Sequence, residues 1–473
     1  MSTTDCAPDP SVLLDPAPAT GDPADGVTKG EPAGLTALRR DLEAGGVHGI
    51  AVTVVDNAGI TRVKGVPVAR LADAVTSGVG YPPVYDVALV DDSFTNSAHI
   101  GGPIGDMRMV ADPERLTALA ASPGWAWAPA DRYEQSGAPY AGCHRLFARR
   151  MTERAREAGL ELRVGFETEW TVTLSEEDSA SPFHGPGHGM ARLTAAGGYA
   201  ARILRALRSQ GVDVLQLHPE YSPGQFELST APTDPVHAAD LVVLVQETVR
   251  AVTRAEGWVA NFGPVVRIGE VGNGRHVHFS LWRNGVNLCH APDRAVGMSE
   301  PAESFVAGVL SELPAMSAIG NPSTAGYLRR GPHTWSGAYA CWGVENREAA
   351  VRFIPGDPRR PATANVEVKC FDAAASPYLV VGSVVAAGLA GLAEGLALPD
   401  PVVGDPAEAD PRIAPPLPVT LAEAVARFRA SDVLPAALGV PLAEALLAVR
   451  EGDIALFADA EPQAIADATR HRY

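Results

Sequence analysis

Two glutamates stand two residues apart, Glu167 and Glu169 in ELRVGFETEW. In an extended strand, residues i and i+2 point to the same face. Two carboxylates on one face of an otherwise apolar strand repel each other unless a cation neutralises them. Three later segments share that character. HPEYSPGQFE carries Glu220 and Glu227, GNGRHVHFS carries His276 and His278, and NVEVKCFD carries Glu367. Five carboxylates and a histidine suit two hard divalent cations, Mg²⁺ or Mn²⁺.

The elements that position these residues are legible from periodicity and breakers. HRLFARRMTERAREAG reads as a helix closed by Gly159, directly before the Glu-x-Glu strand. Helices are predicted near 198–210 and 235–256, and strands at 213–218 and 276–282. GIAVTVVDNAGITRVKGVPV reads as two strands around the turn Asp56-Asn57-Ala58-Gly59. The apolar run from Pro377 to Leu398 is long enough to span a membrane. It carries Glu394 and lacks flanking basic or aromatic anchors, so it is predicted to be a buried core helix. The Pro-rich run from Pro399 to Pro418 reads as a surface crossing.

At 473 residues the chain is too long for one ordinary core. The divisions predicted are a disordered tail over 1–34, a first domain over 35–141 and a larger domain over 142–473. The net charge of −18 argues against a general nucleic-acid binder. Cys6, Cys143, Cys289, Cys341 and Cys370 are scattered and form no C-x-x-C pair, so neither a disulfide framework nor a zinc knuckle is expected. With no basic segment leading into an apolar one at the N-terminus, a cytoplasmic location is expected. The sequence contains no G-x-x-x-x-G-K-[ST], so metals and arginines must hold any phosphate.

In order and spacing, these motifs resemble the glutamine synthetase family from about residue 35 to 473. The resemblance implies an α+β fold: a small N-terminal β-grasp-like domain and a large catalytic domain, an open barrel of antiparallel strands with flanking helices. It also implies self-association into rings, commonly dodecamers, with active sites between subunits. By motif, Glu169, Glu220 and Glu227 would hold one cation, and Glu167, His276 and Glu367 a second. His278 and Ser280 would contact the nucleotide, and Gly272 would touch glutamate through its backbone. NPSTAGYLRRGP places Arg329 on the α-carboxylate of glutamate, where a planar guanidinium binds bidentately. WGVENREAAVR places Arg347 and Arg352 on the phosphates of ATP and of the phosphorylated intermediate, and gives Arg347 a catalytic role. The implied reaction is ATP-dependent ligation of L-glutamate to an amine, with two or more Mg²⁺ or Mn²⁺.

The departures from the family pattern are informative. Ammonia-using members carry a flap glutamate a few residues after the Y-x-R arginine. Here that position is Trp335, with His333 nearby, so ammonia is not the expected acceptor. Val271 stands where Asn is usual before Gly272, and Lys369 and Asn365 stand at positions where the family often has Arg. Lys369 keeps a charge beside the reacting carboxyl but loses the fork. Counting back from GDMRM and its Asp106, the amine-binding acid falls on Asp92, with Asp91 the competing choice. VGYPPVYDVALVDDSF and PGWAWAPADR resemble the γ-glutamylethanolamine synthetases, which makes ethanolamine the expected amine. Polyamine ligation, glutamine synthesis, a metallohydrolase and a non-catalytic ring scaffold are the alternatives. The sequence has no tyrosine between Tyr378 and Tyr473, so control by tyrosine adenylylation is expected to be absent.

Overall fold

A computed structural model describes residues 33–473; the expected tail therefore lies outside the described residues, apart from Ala33 and Gly34, which open the first helix. The smaller sheet is built from β1 (Gly49–Val55), β2 (Thr61–Pro67), β3 (Val79–Tyr81), β4 (Met107–Ala111), β5 (Thr117–Ala118) and β6 (Trp125–Glu134). Helices α1 (Ala33–Ala44) and α2 (Leu71–Thr76) lie against it. Its order is β2-β1-β6-β4-β3, with β1 and β6 parallel. The hairpin β1–β2 forms around the turn read from Asp56 to Gly59.

Helix α3 (His144–Glu157) then leads into β7 (Glu161–Thr173), the strand of the paired glutamates. The larger sheet adds β8 (Val214–Pro219), β9 (Gln225–Thr230), β10 (Val259–Asn261), β11 (Arg275–Arg283), β12 (Val286–Asn287), β13 (Tyr339–Val344), β14 (Ala349–Ile354) and β15 (Asn365–Val368). Its order is β13-β14-β15-β11-β7-β9-β8, curled into a half-barrel. From β14 to β8 the neighbours run antiparallel, while β13 and β14 run parallel.

Helices α4 (Met190–Ser209), α5 (Pro235–Ala255), α6 (Glu300–Gly320) and α7 (Pro377–Glu394) back this sheet. The chain finishes with α8 (Leu421–Ala430), α9 (Leu434–Leu438), α10 (Val440–Leu456) and α11 (Pro462–Thr469). Helix α4 begins well before residue 198 and runs straight through Gly197 and Gly198. Glycine is a poor helix former, and here tertiary packing overrides it.

Helix α7 is the apolar run that begins at Pro377. Proline opens it and Gly395, in the left-handed region, closes it. Most of it is buried, against α3, α5 and α6. Its closest approach to α6 is at Gly308 and Gly391. A Cβ on Gly308 would lie 2.3 Å from the Ala387 carbonyl oxygen, and one on Gly391 would lie 2.4 Å from that of Ser304. Gly308→Val is expected to destabilise the fold by about 1–3 kcal/mol through overpacking. Thermal unfolding checks this, and an unchanged midpoint would remove Gly308 as the determinant of that crossing.

The two sheets are joined at the β1–β2 turn. His144 hydrogen-bonds Asn57 Oδ1 and Ser376 Oγ, each at 3.0 Å. Arg450 donates to the carbonyls of Asn57 at 2.6 Å and Ala318 at 2.7 Å. These buried polar contacts fix the smaller domain against the helices behind the larger sheet.

Candidate active site

Strand register brings the acids together. Across β7 and β11, Glu167 stands opposite His276; across β7 and β9, Glu169 stands opposite Glu227. Glu367 on β15 stands opposite His278 of β11 on one side and Arg352 of β14 on the other. Residues paired across a ladder share a face, so five strands aim their polar side chains at one place. Phe166 and Trp170, on the other face of β7, are buried in the core.

The resulting contacts are close. His276 Nδ1 lies 3.0 Å from Glu167 Oε2 and 3.3 Å from Glu367 Oε1, and its Nε2 lies 3.7 Å from Glu169 Oε1. Lys369 Nζ donates to Glu367 Oε1 at 2.8 Å, and Arg352 Nη1 donates to Glu367 Oε2 at 3.3 Å. Burial would raise the Glu167 carboxyl, but hydrogen bonds from His276 and His278 outweigh it and hold the group well below the carboxylate range. Burial likewise opposes protonation of His278, yet Glu167 and Glu367 lift it to about 9. Glu227 is pushed well above its ordinary value by burial and by the charges of Glu167, Glu169 and Glu220. A divalent cation relieves such crowding, so the donor set fits one. Two groups of donor atoms converge within 4.8 Å: Glu167, His276 and Glu367, and Glu169, Glu227 and His276.

All of these but Glu367 line a cleft of about 1090 Å³ that also holds Arg329, Arg347, Arg352, Lys369 and Gly272. A second hollow of about 460 Å³ opens beside it, sharing Glu167 and His278 and walled by Ser280, Leu215 and Phe279. Its apolar walls suit a flat heterocycle next to a charged phosphate site. Arg329 is buried; its Nη1 donates to the Phe371 carbonyl at 3.5 Å, and among the described residues no carboxylate reaches it as an ion pair. Burial pulls its pKa below the ordinary arginine value. A buried guanidinium in this state is a site for an anion.

The comparisons with known proteins agree with this geometry. The family model described as "Glutamine synthetase, catalytic domain" matches residues 141–467, and "Glutamine synthetase N-terminal domain" matches 26–138. The chain belongs to the glutamine synthetase family. A γ-glutamylpolyamine synthetase of Streptomyces coelicolor is 47% identical over 462 residues, covering 96% of this chain and 99% of the relative. A glutamate–isopropylamine ligase of a Pseudomonas species is 26% identical, covering 84% and 89%. A crystal structure of a glutamine synthase homologue superposes with a TM-score of 0.82 at 31% identity, covering 90% of this chain and 99% of its own. The ADP complex of GmaS superposes at 0.79 with 25% identity, covering 90% and 97%. This glutamine synthetase-family chain is therefore an ATP-dependent ligase.

Within this ligase the expected site residues divide into three groups. Most gather in the cleft or its side hollow. Glu220 lines the cleft, but its Oε1 is turned to His218 Nε2 at 3.1 Å and His188 Nε2 at 3.4 Å. Asp92 lies outside the cleft of its own chain. Arg62 Nη1 binds it at 2.7 Å and Arg472 Nη2 at 2.8 Å, and its backbone is left-handed. Asp91 is likewise away from the cleft, accepting from Ser93 N and Oγ.

Among the carboxylates and imidazoles of the cleft, sequence reasoning missed four: His188, His218, Glu348 and Asp405. Asp405 comes from the Pro-rich run read as a surface crossing. Asn346 Nδ2 donates to the carbonyls of Val402 at 3.0 Å and Gly404 at 2.9 Å, which draws that run over the cleft. The nearest signal in the sequence for Glu348 was its place next to Arg347.

Gly274 shows how tightly the site is set. A Cβ there would stand 2.8 Å from His276 Nε2, 2.9 Å from Arg329 Nη2 and 3.1 Å from Glu169 Oε1. Gly274→Ala is expected to lower kcat/KM about 100-fold, because it shifts the ends of three functional side chains by fractions of an ångström. Steady-state kinetics on a variant with wild-type unfolding behaviour checks this; unchanged kinetics would show that those three groups have room to spare.

Proposed function

We propose that this ligase joins the γ-carboxylate of L-glutamate to an organic amine carrying more than one positive charge. The observation that carries this reading is the acceptor side of the cleft. The flap position is Trp335, whose side chain is exposed at 55% and whose backbone N–H donates to Glu348 Oε1 at 3.1 Å. Glu348 Oε2 is hidden from solvent and has no hydrogen-bond partner among the described residues. Burial and the charge of Asp405 raise the Glu348 carboxyl above its ordinary range. The acid that the flap lacks is therefore supplied from behind it, where an ammonium group can pair with it. Trp335, Tyr221 and Val271 provide apolar and aromatic wall for methylene segments and cationic heads.

In the first half-reaction a γ-carboxylate oxygen attacks the terminal phosphorus of ATP and ADP leaves. In the second, the amine nitrogen attacks the acyl carbon and phosphate leaves. Arg329 holds the α-carboxylate, and Arg347 and Arg352 take up phosphoryl charge. Cations held by Glu167, His276 and Glu367, and by Glu169, Glu227 and Glu220, would neutralise the phosphates. Glu348 accepts the proton that the ammonium form of the amine must lose before it attacks. The polyamine specificity carried by the name of the Streptomyces relative supports a polycationic acceptor. Ethanolamine is the second reading, resting on the two smaller-domain segments quoted above. Asp92 would serve a neighbouring subunit in a ring.

Phosphate release with ATP, Mg²⁺ and L-glutamate, compared across ammonium, ethanolamine, putrescine and spermidine, tests this. Fastest turnover with putrescine or spermidine is expected, with the γ-glutamyl product seen by mass. Ethanolamine as the best acceptor would replace the polycation, and ammonium would overturn the reading of the flap. Trp335→Glu is expected to raise the use of ammonium relative to organic amines; unchanged selectivity would mean that Trp335 does not cover the acceptor.

A further inference from the structure

We propose that His188, His218 and Glu220 form a separate transition-metal site at the rim of the cleft, and that Zn²⁺ bound there inhibits the ligase by occupying Glu220. The three donors converge on one point. Glu220 Oε1 lies 3.1 Å from His218 Nε2 and 3.4 Å from His188 Nε2. Their donor atoms all fall within 4.8 Å of one another. The two imidazole rings stack with centroids 4.8 Å apart and planes 22° from parallel, so both present Nε2 to the same oxygen.

The chemistry of this set differs from that of the acids deeper in the cleft. Two imidazoles and one carboxylate match three-ligand zinc sites that keep a position open to solvent. Imidazole selects zinc and its neighbours in the transition series, whereas carboxylate oxygens select Mg²⁺ and Mn²⁺. The backbone is arranged to serve this grouping. His188 is a non-glycine residue at φ +52, held there while its N–H donates to the Pro219 carbonyl at 3.2 Å. That conformation is uncommon for such a residue and is a recognised mark of functional sites. It sets an imidazole of the 185–189 segment over the end of β8. Glu220 is anchored independently, its Oε2 accepting the Tyr221 backbone N–H at 2.7 Å. His188 is itself 54% exposed, so metal ions reach it from solvent.

Glu220 belongs to two sets. With Oε1 on zinc and Oε2 on the Tyr221 N–H, only Glu169 and Glu227 remain for the first catalytic cation. Occupancy of the rim therefore removes a catalytic ligand without filling the catalytic centre.

The test uses the full-length protein stripped of metal and then held in saturating Mg²⁺. Zn²⁺ binding is followed by calorimetry, and Co²⁺ binding by its visible absorption bands. His188→Asn is the main variant, because Asn tolerates a positive φ and removes the imidazole. His218→Gln is the second. Wild type is expected to bind one Zn²⁺ per chain under these conditions. Each variant is expected to bind it at least about 10- to 100-fold more weakly. Co²⁺ bands with imidazole character are expected in wild type and absent in His188→Asn. Zn²⁺ is expected to lower Mg²⁺-supported turnover of wild type and to leave that of His188→Asn unaffected at the same concentration. Equal zinc affinity in wild type and His188→Asn, or no zinc bound in the presence of Mg²⁺, would falsify the site. Tight rim binding with no loss of turnover would overturn the inhibitory role of Glu220.

Discussion

Glu367→Gln is expected to lower turnover at least about a thousandfold, since several kcal/mol of charge stabilisation by a held cation depend on this carboxylate and each 1.36 kcal/mol is tenfold in rate. Glu367 touches more of the site than any other acid named above. His276 Nδ1 and Lys369 Nζ meet its Oε1, and Arg352 Nη1 meets its Oε2. Gln keeps the shape and removes the charge. The second cation then loses a ligand, buried Lys369 loses its counter-charge, and Arg352 keeps only Glu345. Breaking a buried pair on one side costs about 3–5 kcal/mol, because the remaining charge is stranded. The variant is thus expected to unfold at lower temperature and to show a smaller stabilisation by Mg²⁺. Rapid-quench measurement of γ-glutamyl phosphate formation, beside thermal unfolding with and without Mg²⁺, reads both effects. A variant that retains wild-type phosphoryl transfer would exclude Glu367 from the catalytic centre. Lost transfer with intact Mg²⁺ stabilisation would assign it a charge-balancing role with Lys369 and Arg352 instead.

Arg329→Lys is expected to raise the KM for L-glutamate about 10- to 100-fold while leaving that for ATP unchanged. The guanidinium is buried and has no carboxylate partner among the described residues, so its charge is available to the substrate. Hydrogen bonds to charged groups contribute about 1.5–3 kcal/mol, and lysine cannot reproduce a two-pronged contact. The neighbouring Arg330 does not substitute for it, because its Nη1 donates to the Pro418 carbonyl at 2.7 Å and its Nη2 to that of Cys370 at 3.1 Å. Glutamate-dependent kinetics at saturating ATP checks the split. A matching rise in the KM for ATP would mean that Arg329 serves the phosphates.

The smaller domain bears on these experiments through its attachment. The β1–β2 turn that Arg450 and His144 hold also carries Asp56, which is buried and bonded to Arg62 at 2.7 Å. Arg62 in turn binds Asp92. One chain of ion pairs thus links the buried turn to the acid expected to meet an amine in a neighbouring subunit. Variants at Asp92 therefore report on domain attachment as well as on chemistry, and need unfolding measurements beside kinetics.

The sequence by itself picked out the acids that the strands bring together. Side chains alternate along a strand, so Glu167 and Glu169 had to share a face, and the ordered motifs supplied Glu227, His276 and Glu367 as partners. It also singled out Arg329 and Trp335 as cleft residues, because these are matters of residue type at a fixed spacing from a motif. Breakers likewise marked α3, α5 and α7 with little error, since Pro and Gly act locally.

What only the tertiary structure decided is how distant segments meet. Asp405 reaches the cleft because Asn346 draws a Pro-rich crossing over it. Glu220 faces two histidines because the 185–189 segment lies against the end of β8. Asp92 stays on Arg62 and Arg472, away from the cleft of its own chain. Helix α4 passes through two glycines because its buried face outweighs their local cost. The common reason is physical. Periodicity and residue type fix which face a side chain occupies, whereas the partner on that face is set by packing between elements far apart in the chain.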